Sequence, residues 1–153
     1  MNSILLFSLL GAAASALDFQ GAGQIRTWNQ TGTDLGCLTK QAQWTVDETQ
    51  CDSFSGKRNA TGIYLTASTG VPCGIDNVKV VCQDGLSTVT STWGLFYGGS
   101  PYPDHDVLGF GEYGLMASTE DYVPTKATDA PVTIEFWGDT NVQPFVWLTW
   151  KAT

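Results

Sequence analysis

Two cysteines, a turn and a strand lie together in the stretch Thr66-Ala-Ser-Thr-Gly-Val-Pro-Cys-Gly-Ile-Asp-Asn-Val-Lys-Val-Val-Cys-Gln-Asp-Gly85. Glycine and proline interrupt its first half, Asp76-Asn77 suits a tight turn, and the residues leading to Cys82 are mostly β-branched. This order is typical of a β-hairpin. Because Cys73 and Cys82 flank the turn, we expect a disulfide to close it.

The chain begins with an apolar run that ends in small residues at Ala14-Ser-Ala16, a pattern typical of a secretory signal peptide. The run is shorter than the roughly 20 residues that a membrane-spanning helix needs. It contains no Lys or Arg, which departs from the usual signal peptide. We expect residues 1–16 to be removed and residues 17–153 to form one secreted, extracellular β-rich domain that has no membrane partner.

All 4 cysteines follow the predicted leader, and an even number in a secreted chain favours disulfides. The sequence alone permits three pairings. We favour Cys37 with Cys51 and Cys73 with Cys82, because each pair encloses its own local turn. Zinc sites made of four thiolates normally use C-x-x-C pairs, which this chain lacks, so we expect neither a metal nor a cofactor.

The formal net charge is -8, and the basic residues stand singly except for Lys57-Arg58. Phosphate backbones are bound by clustered basic side chains, so a nucleic-acid partner is disfavoured. Two Asn-X-Thr acceptors for N-glycosylation occur at Asn29 and Asn59, and behind a leader both predict surface positions. We expect a monomeric glycoprotein.

Alternating apolar and polar residues predict a strand around Trp44, which should face the core, and another at Val132–Phe136. The run 145–150 suits a strand buried on both faces, and the β-branched run 86–93 also favours a strand, whereas the polar segment 53–62 favours a loop. No segment has a sustained helical period. The sequence therefore predicts an all-β, single-domain antiparallel sandwich or barrel stapled by two disulfides.

Several short motifs follow one another along the chain in a recognisable order: Gly36-Cys-Leu38, Cys51, Pro72-Cys-Gly-Ile75, Cys82 and Leu148-Thr-Trp-Lys151. This order resembles the small C-terminal domain appended to some secreted fungal ribonucleases of the T2 family, and the likeness covers most of the predicted mature chain. The resemblance implies a fungal origin and a non-catalytic domain. The catalytic domain of that family uses two histidines in separate motifs, whereas this chain has only His105 and neither motif, so ribonuclease activity of that type is not implied.

A stretch rich in glycine and aromatic residues, 94–122, lacks a clear period, and long irregular segments in compact domains are often functional. Aromatic rings stack on the apolar faces of sugars while carboxylates bind the hydroxyl groups, so this stretch is a candidate carbohydrate-binding surface. The alternative is that its rings are simply part of the core. The candidate binding residues are Phe96, Tyr97, Tyr102, Asp104, His105, Asp106, Phe110 and Tyr113.

Acid/base chemistry would most naturally lie at Pro101–Asp106, where an imidazole meets carboxylates, although a solvated loop tip fits the same residues. No pair of catalytic carboxylates can be selected from the sequence. We therefore expect a non-enzymatic extracellular protein that binds a cell-wall glycan or a host surface protein, as an effector or elicitor does. The alternative is a small secreted hydrolase acting on polysaccharide or RNA through paired carboxylates or His105.

Overall fold

A computed structural model describes residues 17–96, 101–110, 117–118, 122–136 and 145–153; the predicted leader, residues 1–16, lies outside them. The protein is all-β, as predicted, with one short 3-10 turn at Glu48–Gln50. Within the described residues, no helix has the length and apolar character needed to cross a membrane. The strands are β1 (Gly21–Trp28), β2 (Asp34–Leu38), β3 (Gln43–Thr45), β4 (Phe54–Asn59), β5 (Gly62–Thr66), β6 (Pro72–Asp76), β7 (Lys79–Cys82), β8 (Trp93–Leu95), β9 (Leu108–Phe110), β10 (Ala117–Ser118), β11 (Val132–Thr133), β12 (Glu135–Phe136) and β13 (Phe145–Ala152).

Antiparallel pairing joins these strands into one sheet that closes on itself. From β1 the pairing runs through β13, β10, β12, β7, β6 and β5. Strand β4 pairs with both β5 and β1 and so completes the ring. Two arms leave this ring: β2, β3 and β11 continue from β1, while β8 and β9 continue from β5. Of the two predicted architectures, the pairing is therefore that of a barrel.

The two predicted disulfides are both present, Cys37–Cys51 and Cys73–Cys82. The second joins directly paired residues of the hairpin β6–β7. Its turn consists of Asn77 and Val78, both with positive φ (45° and 67°), one residue later than the predicted turn. This conformation suits asparagine, whereas a β-branched residue adopts it only with strain. The hairpin that decides the fold therefore exists, with a strained valine at its tip.

Apolar side chains fill the inside of the barrel and the space under its two arms. The rings of Trp44, Trp93 and Trp150 are almost completely buried there. Gly23 is required by this packing, because a Cβ at that position would lie 2.4 Å from the Trp150 ring. The prediction that Trp44 faces the core is confirmed. Other members of this cluster are Phe19, Ile25, Leu38, Phe54, Ile63, Leu65, Ile134, Val146 and Leu148.

Two local predictions are wrong. Segment 53–62, predicted as a loop, holds strand β4, which closes the barrel. Only Phe54 and Gly56 face inward on its buried side, and the backbone of Phe19 lies so close to Gly56 that a Cβ would meet its carbonyl oxygen at 2.4 Å. Segment 86–93, predicted as a strand, contains a turn at 88–91, and only Trp93 belongs to a strand.

The predicted strand Val132–Phe136 is two strands that share no neighbour. Strand β11 pairs with β3, whereas β12 pairs with β10 and β7. Ile134, completely buried between them, accepts a backbone hydrogen bond from Val80 of β7 at 2.9 Å. Buried and half-buried side chains alternate along 132–136 as predicted. This alternation could not show that the segment passes from an arm to the barrel. The sequence also predicts a turn at 138–141, between this segment and the run 145–150, and these residues lie outside the part of the chain that the structure describes.

Candidate functional site

A cleft of about 620 Å³ lies where the β4–β5 turn meets strand β8. Its near wall is the turn itself, from Arg58 to Ile63, and its far wall is Thr92–Phe96. The turn packs tightly on β8, because a Cβ on Gly62 would lie 2.8 Å from the carbonyl oxygen of Trp93. The lining is mixed: polar side chains at Asn59, Thr61 and Thr92 stand beside apolar ones that include Leu95 and Phe96.

Hydrogen bonds among hydroxyl groups order the cleft wall. The hydroxyl groups of Thr61 and Tyr64 lie 3.0 Å apart. Hydrogen bonds with Thr61 and then Thr92 lower the pKa of Tyr64 from its ordinary value. Thr92 donates its hydroxyl to the carbonyl oxygen of Thr88 at 2.5 Å. Thr61 and Thr92 therefore place hydroxyl groups on the two facing walls of the cleft.

Arg58 connects the cleft to the segment that contains His105. Its guanidinium contacts the Asp106 carboxylate at 2.5 Å and donates to the backbone oxygen of Asp18 at 3.4 Å. Asp18 in turn accepts from the backbone nitrogen of Asp106 at 2.8 Å, and its carboxylate lies 3.5 Å from Nδ1 of His105. The sequence suggested a carboxylate beside His105, and the structure identifies it as Asp18 instead of its chain neighbours.

His105 also borders a second aromatic cluster on the outside of the β1–β13 pair. Its ring packs edge-on against Trp28 with centroids 4.9 Å apart, and Tyr102 contacts Trp28 at the same distance. Phe96 packs on Trp147, which is 8% exposed. Burial raises the pKa of Tyr102. Phe96 is half-buried by this contact and also borders the cleft, whereas the other rings pack mainly on one another.

The candidate residues of 94–122 therefore separate into several environments. Phe96 faces the cleft, while Tyr102 and His105 join the outer cluster. Asp104 is exposed, and Phe110 packs on the buried ring of Trp93 with centroids 5.6 Å apart. Tyr97 and Tyr113 lie outside the described residues. The wall at Arg58–Gly62 was not predicted as a site, although the adjacent bases Lys57-Arg58 and the second glycosylation acceptor marked that segment.

A separate groove of about 580 Å³ lies beside Arg26 on β1. Arg26 is 5% exposed, and its five N–H donors are all satisfied, by Gln24, Asp34 and Glu48 at 2.6 to 3.1 Å. The hydrogen bonds that Arg26 donates to Glu48, and then those to Asp34, raise the pKa of Arg26 against the opposing effect of burial. With its donors occupied, this guanidinium has a structural role and is not available to an anionic ligand.

The two glycosylation acceptors adopt similar local geometry. Oδ1 of Asn29 accepts from the backbone nitrogen and hydroxyl of Thr31 at 3.0 and 2.8 Å. Oδ1 of Asn59 accepts from the same groups of Thr61 at 2.9 and 2.6 Å. Asn59 is exposed and Asn29 is half-buried, so the predicted surface positions hold most clearly for Asn59.

No family model, curated protein or solved structure matches the chain. Over the described ranges, no group of three or more His, Cys, Asp or Glu side chains is placed to hold a metal ion. The fold and its two disulfides define a disulfide-stapled β-barrel domain, and such bonds are compatible with an extracellular protein. The resemblance to the ribonuclease-appended domain stays a prediction.

Proposed function

We propose that this is a secreted, non-enzymatic protein that binds a neutral extracellular glycan in the cleft between the β4–β5 turn and β8. The observation that supports this function is the composition of the cleft wall. Asn59, Thr61 and Thr92 offer hydrogen-bonding groups suited to sugar hydroxyls, while Phe96 offers an apolar surface. A cell-wall polysaccharide of fungal or host origin has this chemistry.

The charge of the protein favours a neutral over an anionic ligand. The chain carries a net charge of -8, and the cationic group at the cleft, Arg58, is already paired with Asp106. An anionic polymer would meet the acidic surface without a clustered basic partner. A neutral glucan or chitin-type polymer avoids this repulsion, so these are the glycans to test first.

Binding is tested by retention on insoluble chitin, cellulose and β-glucan, followed by titration with soluble oligosaccharides. We expect Phe96→Ala to weaken binding roughly tenfold, equivalent to about 1.4 kcal/mol, and Thr92→Ala to weaken it less. Val89→Ala is the matched control, because Val89 is exposed and does not line the cleft. Equal affinity of the Phe96 and Val89 variants would contradict the assignment of this cleft.

The second candidate is a hydrolase that uses His105 as its acid or base. It is favoured by the position of the ring, whose buried Nδ1 lies 3.5 Å from the Asp18 carboxylate but makes no hydrogen bond within the described residues. A reducing-sugar assay on the same polysaccharides separates the two functions. Product formation that is lost in His105→Asn would support the hydrolase, whereas retention without product supports binding alone.

A host protein is the remaining partner that the effector hypothesis allows. Infiltration of the pure protein into plant tissue tests an elicitor role directly. A response that persists in Phe96→Ala and occurs without any glycan retention would replace the glycan proposal with a protein partner.

A further inference from the structure

The acceptor asparagine Asn59 lies on the wall of the cleft itself. It ends strand β4 and pairs with Gly62 across the turn, so Ala60 and Thr61 form the turn between them. All four residues line the cleft. A sugar attached at this position would therefore start at the cleft and not on a distant surface.

The Asn59 side chain is oriented by its own turn. Its Oδ1 accepts two hydrogen bonds from Thr61, from the backbone nitrogen and from the hydroxyl group. The exposed amide nitrogen Nδ2 is the atom that N-glycosylation modifies. Because Ala60 contributes only a methyl group to the cleft, it leaves space for a sugar ring beside Nδ2.

The other acceptor, Asn29, provides an internal control. It has the same contacts between Oδ1 and the threonine two residues later, but it lies on the β1–β2 connection and its backbone oxygen accepts from the Tyr102 hydroxyl. It is not among the residues that line the cleft. A glycan there would not start in the cleft, so the two acceptors share their contacts with the following threonine but differ in their surroundings.

We propose that Asn59 carries an N-glycan whose inner sugars lie along the cleft and keep external glycans out. The transfer forms a bond between Nδ2 and C1 of the first sugar and breaks the bond from C1 to a lipid diphosphate donor, releasing the lipid diphosphate and one proton. A short tether gives the attached sugars an effective concentration on the order of millimolar, enough to compete with a weak external ligand. This regulation rests on the proposed glycan-binding function of the same cleft.

The first experiment requires no external ligand. The protein is secreted from a eukaryotic host, glycan occupancy of Asn29 and Asn59 is measured by peptide mass spectrometry, and release by an endoglycosidase is followed at each position. We expect release from Asn59 to be roughly tenfold slower than from Asn29 in the native protein, and the two rates to become equal after reduction and denaturation. An unmodified Asn59, or equal native rates, would overturn the proposal.

The second experiment measures affinity for soluble chitin and β-glucan oligosaccharides. We expect the protein secreted into a bacterial periplasm without N-glycans, which keeps Asn59 and Thr61 on the cleft wall, to bind severalfold more tightly than the glycosylated protein, while Asn29→Gln leaves the affinity of the glycosylated protein unchanged. Equal affinity of the glycosylated and unglycosylated forms, with measurable binding, would overturn the occlusion. Slow release from Asn59 combined with no binding by any form would instead contradict the glycan-binding function while the occlusion stands.

Discussion

The two faces of the β1–β13 strand pair contain opposite kinds of side chains on the same backbone. On the barrel side, Ile25 lies opposite Trp150, and both are buried in the main core. On the outer side, Arg26 lies opposite Thr149, and Trp28 lies opposite Trp147. One face is stabilised by apolar burial and the other by a satisfied ion cluster beside packed rings. Both faces of this strand pair are therefore buried. The barrel side is covered mainly by apolar side chains, whereas the outer side also depends on the ion cluster around Arg26.

The largest loss of stability should come from a substitution on the barrel side of the β1–β13 pair. Trp150→Ala removes a ring that is 2% exposed and packs on Phe19 with centroids 5.4 Å apart. We expect the free energy of unfolding to fall by about 3–5 kcal/mol, because the deletion leaves a large cavity. Urea denaturation followed by circular dichroism measures it. A loss below about 1 kcal/mol would contradict the placement of this ring in the core.

An intermediate loss of stability should come from a substitution in the ion cluster of Arg26, Asp34 and Glu48 on the outer side. Glu48→Gln removes one carboxylate from the buried guanidinium of Arg26, and we expect a loss of about 1–2 kcal/mol at neutral pH. This is less than for a fully buried pair, because the Glu48 side chain is 59% exposed and screened by solvent. Chemical denaturation at pH 7 checks this value.

The same variant should change how stability depends on pH. Hydrogen bonds from Arg26 lower the pKa of Glu48 in the folded protein, so its contribution is present above the ordinary value of 4.5 and is lost as the pH falls through the lowered pKa. The wild type should therefore lose its advantage over Glu48→Gln on acidification. Asp104→Asn, at an exposed carboxylate, is the control. A constant difference between wild type and Glu48→Gln down to pH 2 would contradict the ionic role.

The smallest change in the free energy of unfolding should be an increase, at two buried threonines. The hydroxyl oxygens of Thr27 on the barrel side and Thr149 on the outer side are buried, and neither has a hydrogen-bond partner among the residues that the structure describes. Valine has nearly the same shape without the hydroxyl, so each Thr→Val variant should gain about 0.5–1 kcal/mol. Thermal unfolding measures the gain at each face. A loss at Thr149 alone would indicate that its hydroxyl has a partner on the outer face.

Strand patterns predicted the fold class, because burial on alternate residues is a local property. Hairpin β6–β7 and strand β13 followed directly from β-branched and aromatic runs. The strand predicted over 86–93 was wrong because the serine and threonine hydroxyl groups of this run bond to the backbone. Ser91 and Thr92, for example, donate to the carbonyl oxygens of Ser87 and Thr88. Such contacts favour a turn over a strand.

The candidate site was only partly predictable. Aromatic content drew attention to Phe96, which lines the cleft, but no local signal placed Arg58–Gly62 across from it, because the pairing of β5 with β8 joins Ile63 to Trp93, thirty residues later. Arg26 was missed for the same reason. Its partners Asp34 and Glu48 are 8 and 22 residues away, and only the folded sheet brings them together.

The pairing of β1 with β13 also brings the two ends of the domain together. Gly23 lies opposite Ala152, and the backbone nitrogen of Thr153 donates to the carbonyl oxygen of Ala22 at 3.1 Å. A short glycine-rich linker could join these ends, and the exposed segment around Gly85 offers a place to open the chain again. The domain is therefore suited to circular permutation, which would move both termini away from the strands that close the barrel.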